Sequence, residues 1–163
     1  MTDHRSEQAL TGDERTQLTA FLHDNRAEVA ALLDGLTEEQ ARRRLVPSLT
    51  TLLGIVKHAA FVERVWFQVA LVGRTRAEAG LPDDIDDTFT LTDDDTIASI
   101  TADFAKACAE SDALLAQHAL DDLATHNRRG PLTVRWILVH LVEEYARHAG
   151  HGDILREQIF VEG

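Results

Sequence analysis

Two ionisable side chains of metal-binding types stand one helical turn apart, within an otherwise mostly apolar stripe near the end of this chain. The stripe recurs at alternating spacings of three and four: Val134, Ile137, Leu141, Glu144, His148, His151 and Leu155. This spacing is typical of the inward face of a helix. Glu144 and His148 project from one face and can chelate one cation. Because an unpaired buried charge is costly, we interpret the stripe as half of a metal site.

A second stripe with the same spacing lies about eighty residues upstream and carries a lone histidine. Its members are Ile55, His58, Val62, Val65, Val69 and Val72. Two helices that each carry ionisable groups inward can satisfy them by facing each other across one ion, as bundle-core metal sites do. The sequence therefore nominates His58, Glu144 and His148 as metal ligands. Three protein ligands with an open fourth position are typical of catalytic zinc.

Other interpretations of these residues remain open at this stage. His58 could be a core histidine that donates to a backbone carbonyl, and Glu144 could form a buried ion pair with Arg147 or Arg135. A His148/His151 pair without Glu144 is the main competing ligand geometry. The ion-pair interpretation is the weaker one, because a buried ion pair is rarely a net stabiliser.

Further side chains near the predicted ligands are candidates for supporting roles. His140 and His151 lie about one turn from Glu144 and His148, and we assign them, with Tyr145, to proton movement or ligand orientation. Arg147 is a candidate for binding an anionic group of a cofactor or substrate. Trp66 is expected to line the core or the binding pocket.

Composition restricts the protein class. The chain has 163 residues, 44% of them hydrophobic, which favours one domain over residues 1–163 with a flexible N-terminus at 1–10. A net charge of −12 argues against nucleic-acid and anionic-membrane partners. The polar N-terminus and the lack of a long apolar run predict a cytoplasmic protein. A single cysteine, Cys108, excludes an intramolecular disulfide and a cysteine-based zinc cluster.

The periodicity predicts an all-α four-helix bundle. The four helices are expected at about residues 12–33, from 48–51 to 73, 92–118 and 133–158. Thr92 and the three aspartates that follow it are expected to cap the third helix, and Thr133 the fourth. Residues 37–44 begin with a capping-box pattern. The acidic loop at 74–91 is expected to be a lid or rim.

Two segments together resemble the DinB/YfiT-like superfamily: residues 48–58 (SLTTLLGIVKH) and residues 140–157 (HLVEEYARHAGHGDILRE). They look most like its actinobacterial single-domain branch, which is related to the metal-binding domain of mycothiol-dependent maleylpyruvate isomerase. The resemblance implies an up-down-down-up four-helix bundle with a divalent metal, often zinc or nickel, held by three side chains. In this chain, the resemblance implies that the three metal-holding side chains are His58, Glu144 and His148. Glu144 replaces the first histidine of the usual pair, as in the maleylpyruvate isomerases, and a carboxylate ligand makes nickel or manganese alternatives to zinc.

The resemblance also implies thiol-dependent chemistry with mycothiol, bacillithiol or glutathione as cosubstrate. Our hypothesis is a metal-dependent S-transferase for detoxification of a small electrophile, in which a coordinated thiol is held as the thiolate. The alternatives are a non-catalytic metal-binding stress or interaction protein and a metal-dependent hydrolase. The expected partners are the thiol and the electrophile, and the expected oligomeric state is monomer or homodimer.

Overall fold

A computed structural model describes residues 4–161 of the chain, and most of these residues are helical. The helices are α1 (Arg5–Gln8), α2 (Glu14–Ala31), α3 (Glu38–Arg42), α4 (Leu52–Arg64), α5 (Ile97–Leu115) and α6 (Val134–Val161). A minimal antiparallel pair, β1 (Leu123–Ala124) with β2 (Leu132–Thr133), connects α5 to α6. The all-α prediction is confirmed, whereas the up-down-down-up order of the helices stays a prediction.

Side-chain caps explain where the long helices begin. Asp13 caps α2, and Thr51 caps α4 by accepting from the Gly54 amide. The expected capping box at Thr37 is confirmed, and Thr133 accepts from the amide of Trp136 at the start of α6. The expected cap of the third helix was wrong. Thr96 caps α5 in a box with Ser99, and Asp95 instead accepts hydrogen bonds from Lys57 and from Thr92.

The long helices pack in two main pairs, α2 against α6 and α4 against α5, with α4 also contacting α6. Gly152 allows the close approach in the first pair, because a Cβ at this position would lie 2.4 Å from the Leu32 side chain. The contact between α4 and α6 is the one that positions the predicted ligands, since it brings His58 opposite Glu144 and His148.

A π-helical segment, Val65–Leu71, continues α4 where the sequence predicted an unbroken α-helix. Its wider turn is marked by the bond from the Val72 amide to the Phe67 carbonyl. The extra residue per turn shifts the predicted stripe: Val62 is buried, Val69 is half-buried and Val72 is exposed. π-helical turns recur at functional sites because they re-aim side chains, and this one directs Trp66 and Val69 to the wall of a cavity.

The inward face of α6 also departs from the predicted stripe. Val134, Leu141 and Leu155 are buried as expected, but His151 is exposed, and Tyr145 is buried in its place. The buried face of α6 runs through Leu141, Tyr145, Gly152 and Leu155, so it passes one residue beside both Glu144 and His151. Glu144 and His148 are therefore half-buried at the edge of the core rather than at its centre.

Segments outside the helices behave partly as expected. Asp83, Asp84 and Ile85 of the acidic loop line the cavity, so this loop forms a rim, and a short 3-10 turn at Asp86–Thr88 interrupts it. Residues 1–3 of the predicted flexible N-terminus lie outside the described residues, and the amide of Arg5 in α1 donates to Asp24. None of the helices within residues 4–161 is long and apolar enough to cross a membrane.

Candidate metal centre and adjoining cavity

His58 on α4 meets Glu144 and His148 on α6, and these three residues form the candidate metal centre. The Nε2 atoms of His58 and His148 lie 3.3 Å and 3.1 Å from Oε1 of Glu144. One potential ligand atom from each residue lies within 4.8 Å of the other two. Among residues 4–161 no other trio of His, Cys, Asp and Glu has this geometry. Two imidazoles and a carboxylate are a donor set suited to zinc and to other first-row metals.

Thr88 determines which nitrogen of His58 faces the centre. The Thr88 hydroxyl donates to the Ile85 carbonyl at 2.6 Å, so its oxygen accepts the 2.8 Å bond from Nδ1 of His58. Burial lowers the pKa of His58, and its ring is therefore neutral at pH 7. A neutral ring that donates through Nδ1 carries a lone pair on Nε2. Such a hydrogen bond to the far nitrogen is the usual support of a metal-binding histidine.

The centre therefore contains acceptors that face each other. The neighbouring His148 ring, hydrogen-bonded to Glu144, holds the pKa of that carboxyl well below its ordinary range, so Glu144 is a carboxylate. Its oxygen faces the lone pair on Nε2 of His58, and a cation between them would turn this repulsion into two attractive contacts. These facing acceptors fit a bound cation. Nδ1 of His148, the nitrogen that points away from Glu144, is buried without a protein partner.

The competing interpretations of the ligands do not match the contacts. His58 bonds to a hydroxyl rather than to a backbone carbonyl. Arg147 pairs with Glu143 on the surface of α6, and Arg135 pairs with Glu14 and Asp121. Neither arginine neutralises Glu144. His151 is exposed, with its ring centroid 6.0 Å from that of His148, and it lies outside the trio.

A cavity of about 810 Å³ adjoins the centre, and His58 and Glu144 are part of its wall. Its apolar wall comes from α4 and the π-helical segment: Phe61, Val62, Val65, Trp66, Val69 and Ala70. Its polar wall comes from two loops and α6: Arg76, Asp83, Asp84, His126, Asn127, Arg128, Arg129 and His140. A cleft of this size that combines an apolar wall with convergent polar groups is suited to a small molecule.

Aromatic rings surround both the centre and the cavity. Phe89 stacks on His58 with a centroid distance of 4.2 Å. His140 stacks on Trp136 at 4.9 Å and meets the edge of Trp66 at 5.0 Å. Burial lowers the pKa of His140, which is therefore neutral at pH 7. No hydrogen bond to another of the described residues occupies its ring nitrogens, so they are available to a bound molecule.

The other predicted site residues divide into two groups. Trp66 and His140 line the cavity. Tyr145 does not: it is fully buried on the other side of α6, where its hydroxyl donates to Glu63 at 2.8 Å. Arg147 is exposed and paired with Glu143, away from the cavity wall. The structure thus gives Tyr145 and Arg147 no contact with a molecule in this cavity.

Several residues of the site were missed in the sequence. Thr88 and Phe89 lie in the acidic loop, which has no periodicity that would indicate contact with His58. His126 and Arg129 lie in the segment between β1 and β2, for which the sequence predicted no role in the site. The pair Arg128-Arg129 was no signal by itself, because the same chain also contains the run Arg42-Arg43-Arg44.

Comparison with known proteins gives one clear result. The family model described as mycothiol S-transferase matches residues 17–160, which include the candidate metal centre and all of the residues that line the cavity. Comparison with curated proteins gives no match.

Proposed function

The chain belongs to the mycothiol S-transferase family, and from this we propose that it joins mycothiol, through its sulfur, to a small electrophile in a metal-dependent reaction. One observation carries the metal dependence: ligand atoms of His58, Glu144 and His148 lie within 4.8 Å of one another beside a cavity. A structural metal site would be closed by a fourth protein ligand, and none joins this trio among the described residues.

His58, Glu144 and His148 would hold the divalent cation, with zinc preferred and nickel or manganese as alternatives. The bound cation supplies Lewis acidity that favours the thiolate form of a thiol. Thr88 keeps Nε2 of His58 free of a proton, and Phe89 restrains the ring by stacking on it. Glu144 contributes the negative charge that offsets the cation.

His140 is the candidate for moving the thiol proton. Its imidazole is neutral, it lines the cavity, and it lies one turn before Glu144 on α6. A ring nitrogen of His140 would accept the proton as the thiol binds. For an epoxide or an activated alkene it would return this proton to the oxygen or carbon that gains charge. His151, exposed on the far side of His148, is a weaker candidate for the same task.

The proposed step forms one bond and breaks one. The sulfur supplies an electron pair to the electrophilic carbon, and a sulfur–carbon bond forms. With a halide, the carbon–halogen bond breaks and its electron pair leaves with the halide; with an epoxide, the carbon–oxygen bond breaks and the pair stays on the oxygen; with an activated alkene, the π bond breaks and the pair moves to the neighbouring carbon. The apolar wall formed by Val62, Val65, Trp66 and Val69 excludes water, which otherwise competes for the electrophile.

The test combines metal analysis with turnover. We expect one equivalent of metal in the wild-type protein and its loss from His58→Ala and His148→Ala, with helical content retained and S-conjugate formation reduced at least about a hundredfold. His118→Ala is the matched control, because His118 bonds to the Leu114 carbonyl outside the cavity. Full metal content together with unchanged conjugate formation in His58→Ala would refute the proposal.

Two further measurements separate the alternatives. Chelation should leave the bundle folded, because the core of the described residues is formed without the centre; unfolding on chelation would favour a non-catalytic protein stabilised by metal. Mass spectrometry of the product distinguishes the S-conjugate from the hydrolysed electrophile, which a metal-dependent hydrolase would release even without mycothiol.

A further inference from the structure

We propose that Arg129 binds a carboxylate of the electrophilic acceptor, so that the enzyme prefers anionic electrophiles with an apolar body. The subsite consists of Arg129, Trp66 and Trp136, and we call it the arginine–tryptophan subsite. The inference rests on the proposed S-transfer and extends it by naming the class of acceptor.

Arg129 is held by two aromatic rings and by no carboxylate. Its Cζ lies 5.4 Å from the ring centroid of Trp66 and 5.8 Å from that of Trp136. No side chain within residues 4–161 accepts a hydrogen bond from its guanidinium group. Arg64 and Arg135 are paired with carboxylates, and others such as Arg156 donate to backbone carbonyls, whereas Arg129 does neither within the described residues. In a chain with 28 acidic and 16 basic residues, an arginine without such a partner at a cavity wall indicates a place for an external anion.

The chain holds this arginine in position through its backbone. The side chain of Asn127 accepts from the Arg129 amide at 2.9 Å. The amide of His126 donates to the Ala70 carbonyl, which ties the segment to the π-helical turn that carries Trp66. Gly73 permits this approach, since it has a φ of 86° and a Cβ there would lie 2.8 Å from the His126 ring. The guanidinium group is thus preorganised above Trp66 before a ligand binds.

Arg128 and Arg129 both line the cavity without a carboxylate partner among residues 4–161, and Arg129 is the one that lies over the two tryptophan rings. Arg76 already donates to the carbonyls of Pro82 and Asp83 and lies over Phe61. Asp83 and Asp84 line the cavity but form no ion pair with Arg129. The planar fork of a guanidinium matches a carboxylate with two parallel hydrogen bonds, and none of the described side chains accepts a hydrogen bond from the N–H groups of Arg129.

The spacing of the subsite from the metal centre restricts the shape of the acceptor. Trp136 and Glu144 are eight residues apart on α6, which corresponds to about 12 Å along the helix axis. Trp66, His140 and the half-buried Val65 and Val69 lie among the lining residues of the same cavity. An acceptor that reaches both ends therefore carries its carboxylate well away from its reacting carbon, with an apolar segment between them.

The two tryptophans make the subsite directly measurable. The chain has only two, Trp66 and Trp136, and Arg129 lies over both. Intrinsic tryptophan emission therefore reports on this place without any turnover. The probes are cyclohexanebutanoate and cyclohexanebutanamide, an unreactive pair that differs in charge. We expect the carboxylate to bind the wild-type protein at least roughly tenfold more tightly than the amide, as for a charge-assisted pair.

Variants identify the residue responsible. Arg129→Gln should bring the affinities for carboxylate and amide to within about twofold of each other, since the charge-assisted bonds are lost. Lys106→Gln removes one positive charge from the exposed surface of α5 and should leave the wild-type preference unchanged. Equal binding of the two probes to the wild-type protein, or a preference that survives in Arg129→Gln, would overturn the inference.

Steady-state kinetics then tests whether the carboxylate bound by Arg129 belongs to the acceptor or whether Arg129 contacts mycothiol. With para-bromomethyl biphenylcarboxylate and its carboxamide as acceptors, Arg129→Gln should raise KM for the carboxylate at least about tenfold and leave KM for mycothiol unchanged. A raised KM for mycothiol alone would assign the arginine to the thiol and overturn the inference. Absence of conjugate formation, with the probe preference present and lost in Arg129→Gln, would refute the S-transfer and retain the anion subsite.

Discussion

Two polar clusters join α4 to α6, and they are built in opposite ways. In the first, His58 faces Glu144 and His148. In the second, which we call the buried ion-pair network, Glu63 accepts two hydrogen bonds from Arg26 of α2 and one from Tyr145, each at 2.8 Å. Every oxygen of Glu63 thus has a donor. The candidate metal centre instead sets two acceptors against each other and leaves Nδ1 of His148 without a partner.

The difference indicates what each cluster does. Glu63 is 0% exposed and its network is complete without a ligand, so we expect it to hold the helices in register. Tyr145 directly follows Glu144 in sequence, so consecutive residues of α6 connect the ion-pair network to the candidate metal centre. Burial raises the pKa of the Tyr145 phenol well above its ordinary value, so it stays a neutral donor. A cluster that is incomplete and lies beside a cavity is suited to an external ion.

The largest expected effect comes from breaking the ion-pair network. Arg26→Met leaves the Glu63 carboxylate buried without its cation, and we expect a loss of about 3–5 kcal/mol in the free energy of unfolding. Urea denaturation followed by circular dichroism measures it. Adding Glu63→Gln should recover part of the loss, because no charge is then stranded. A loss as small as that of Arg147→Met, which breaks an exposed pair, would show that the network does not stabilise the fold.

Tyr145→Phe tests the link between the two clusters. Removing the hydroxyl takes one donor from Glu63, and we expect a destabilisation of about 1.5–3 kcal/mol, as for hydrogen bonds to charged groups. The metal content should stay at one equivalent, since the three ligands remain. Circular dichroism during denaturation and elemental analysis are the measurements. A loss of conjugate formation with unchanged stability would instead support the catalytic role that the sequence suggested for Tyr145.

Thr88→Val should weaken the metal centre while leaving the bundle folded. Without the hydroxyl, the proton of neutral His58 can move from Nδ1 to Nε2 and donate to Glu144, which the metal must then displace. We expect metal affinity to fall roughly 10–100-fold, as for other residues that support a metal-binding histidine. Competition with a chromophoric chelator measures the affinity. Thr88→Ser keeps the hydroxyl and is the control; equal affinities in the two variants would contradict this role.

The smallest expected effect is a pH dependence at the edge of the ion-pair network. Burial lowers the pKa of His23, although the nearby Asp112 acts in the opposite direction. Its folded-state pKa is then below the unfolded value of about 6.5, so the unfolded chain binds more protons as the pH falls. Stability should decrease below this pH and be unaffected above it. Between about pH 7 and pH 5, the urea midpoint of His23→Gln should fall less than that of the wild-type protein. An identical decrease in the two proteins would assign the acid sensitivity to other groups.

Much of the bundle follows from local sequence signals. The helical periods and the caps at Thr37 and Thr133 act within a few residues, so they were predicted without a structure. The cap of α5 was misplaced because the acidic run after Thr92 also suits a helix N-terminus, whereas in the structure Thr96 forms the capping box with Ser99. The π-helical segment had no sequence signal, since its wide turn depends on packing around it.

The sequence by itself determined the composition of the metal centre. A one-turn spacing brings Glu144 and His148 to one face of a helix whatever surrounds it, and a lone histidine among aliphatic residues nominated His58. Tertiary structure decided which of the neighbouring polar residues face the candidate metal centre and which face the core. Glu144 and Tyr145 are consecutive on α6, but their side chains project in different directions, so Glu144 lines the cavity and Tyr145 contacts Glu63. Thr88, Phe89 and Arg129 reach the site from loops. Such contacts depend on how distant segments pack, which no local periodicity encodes.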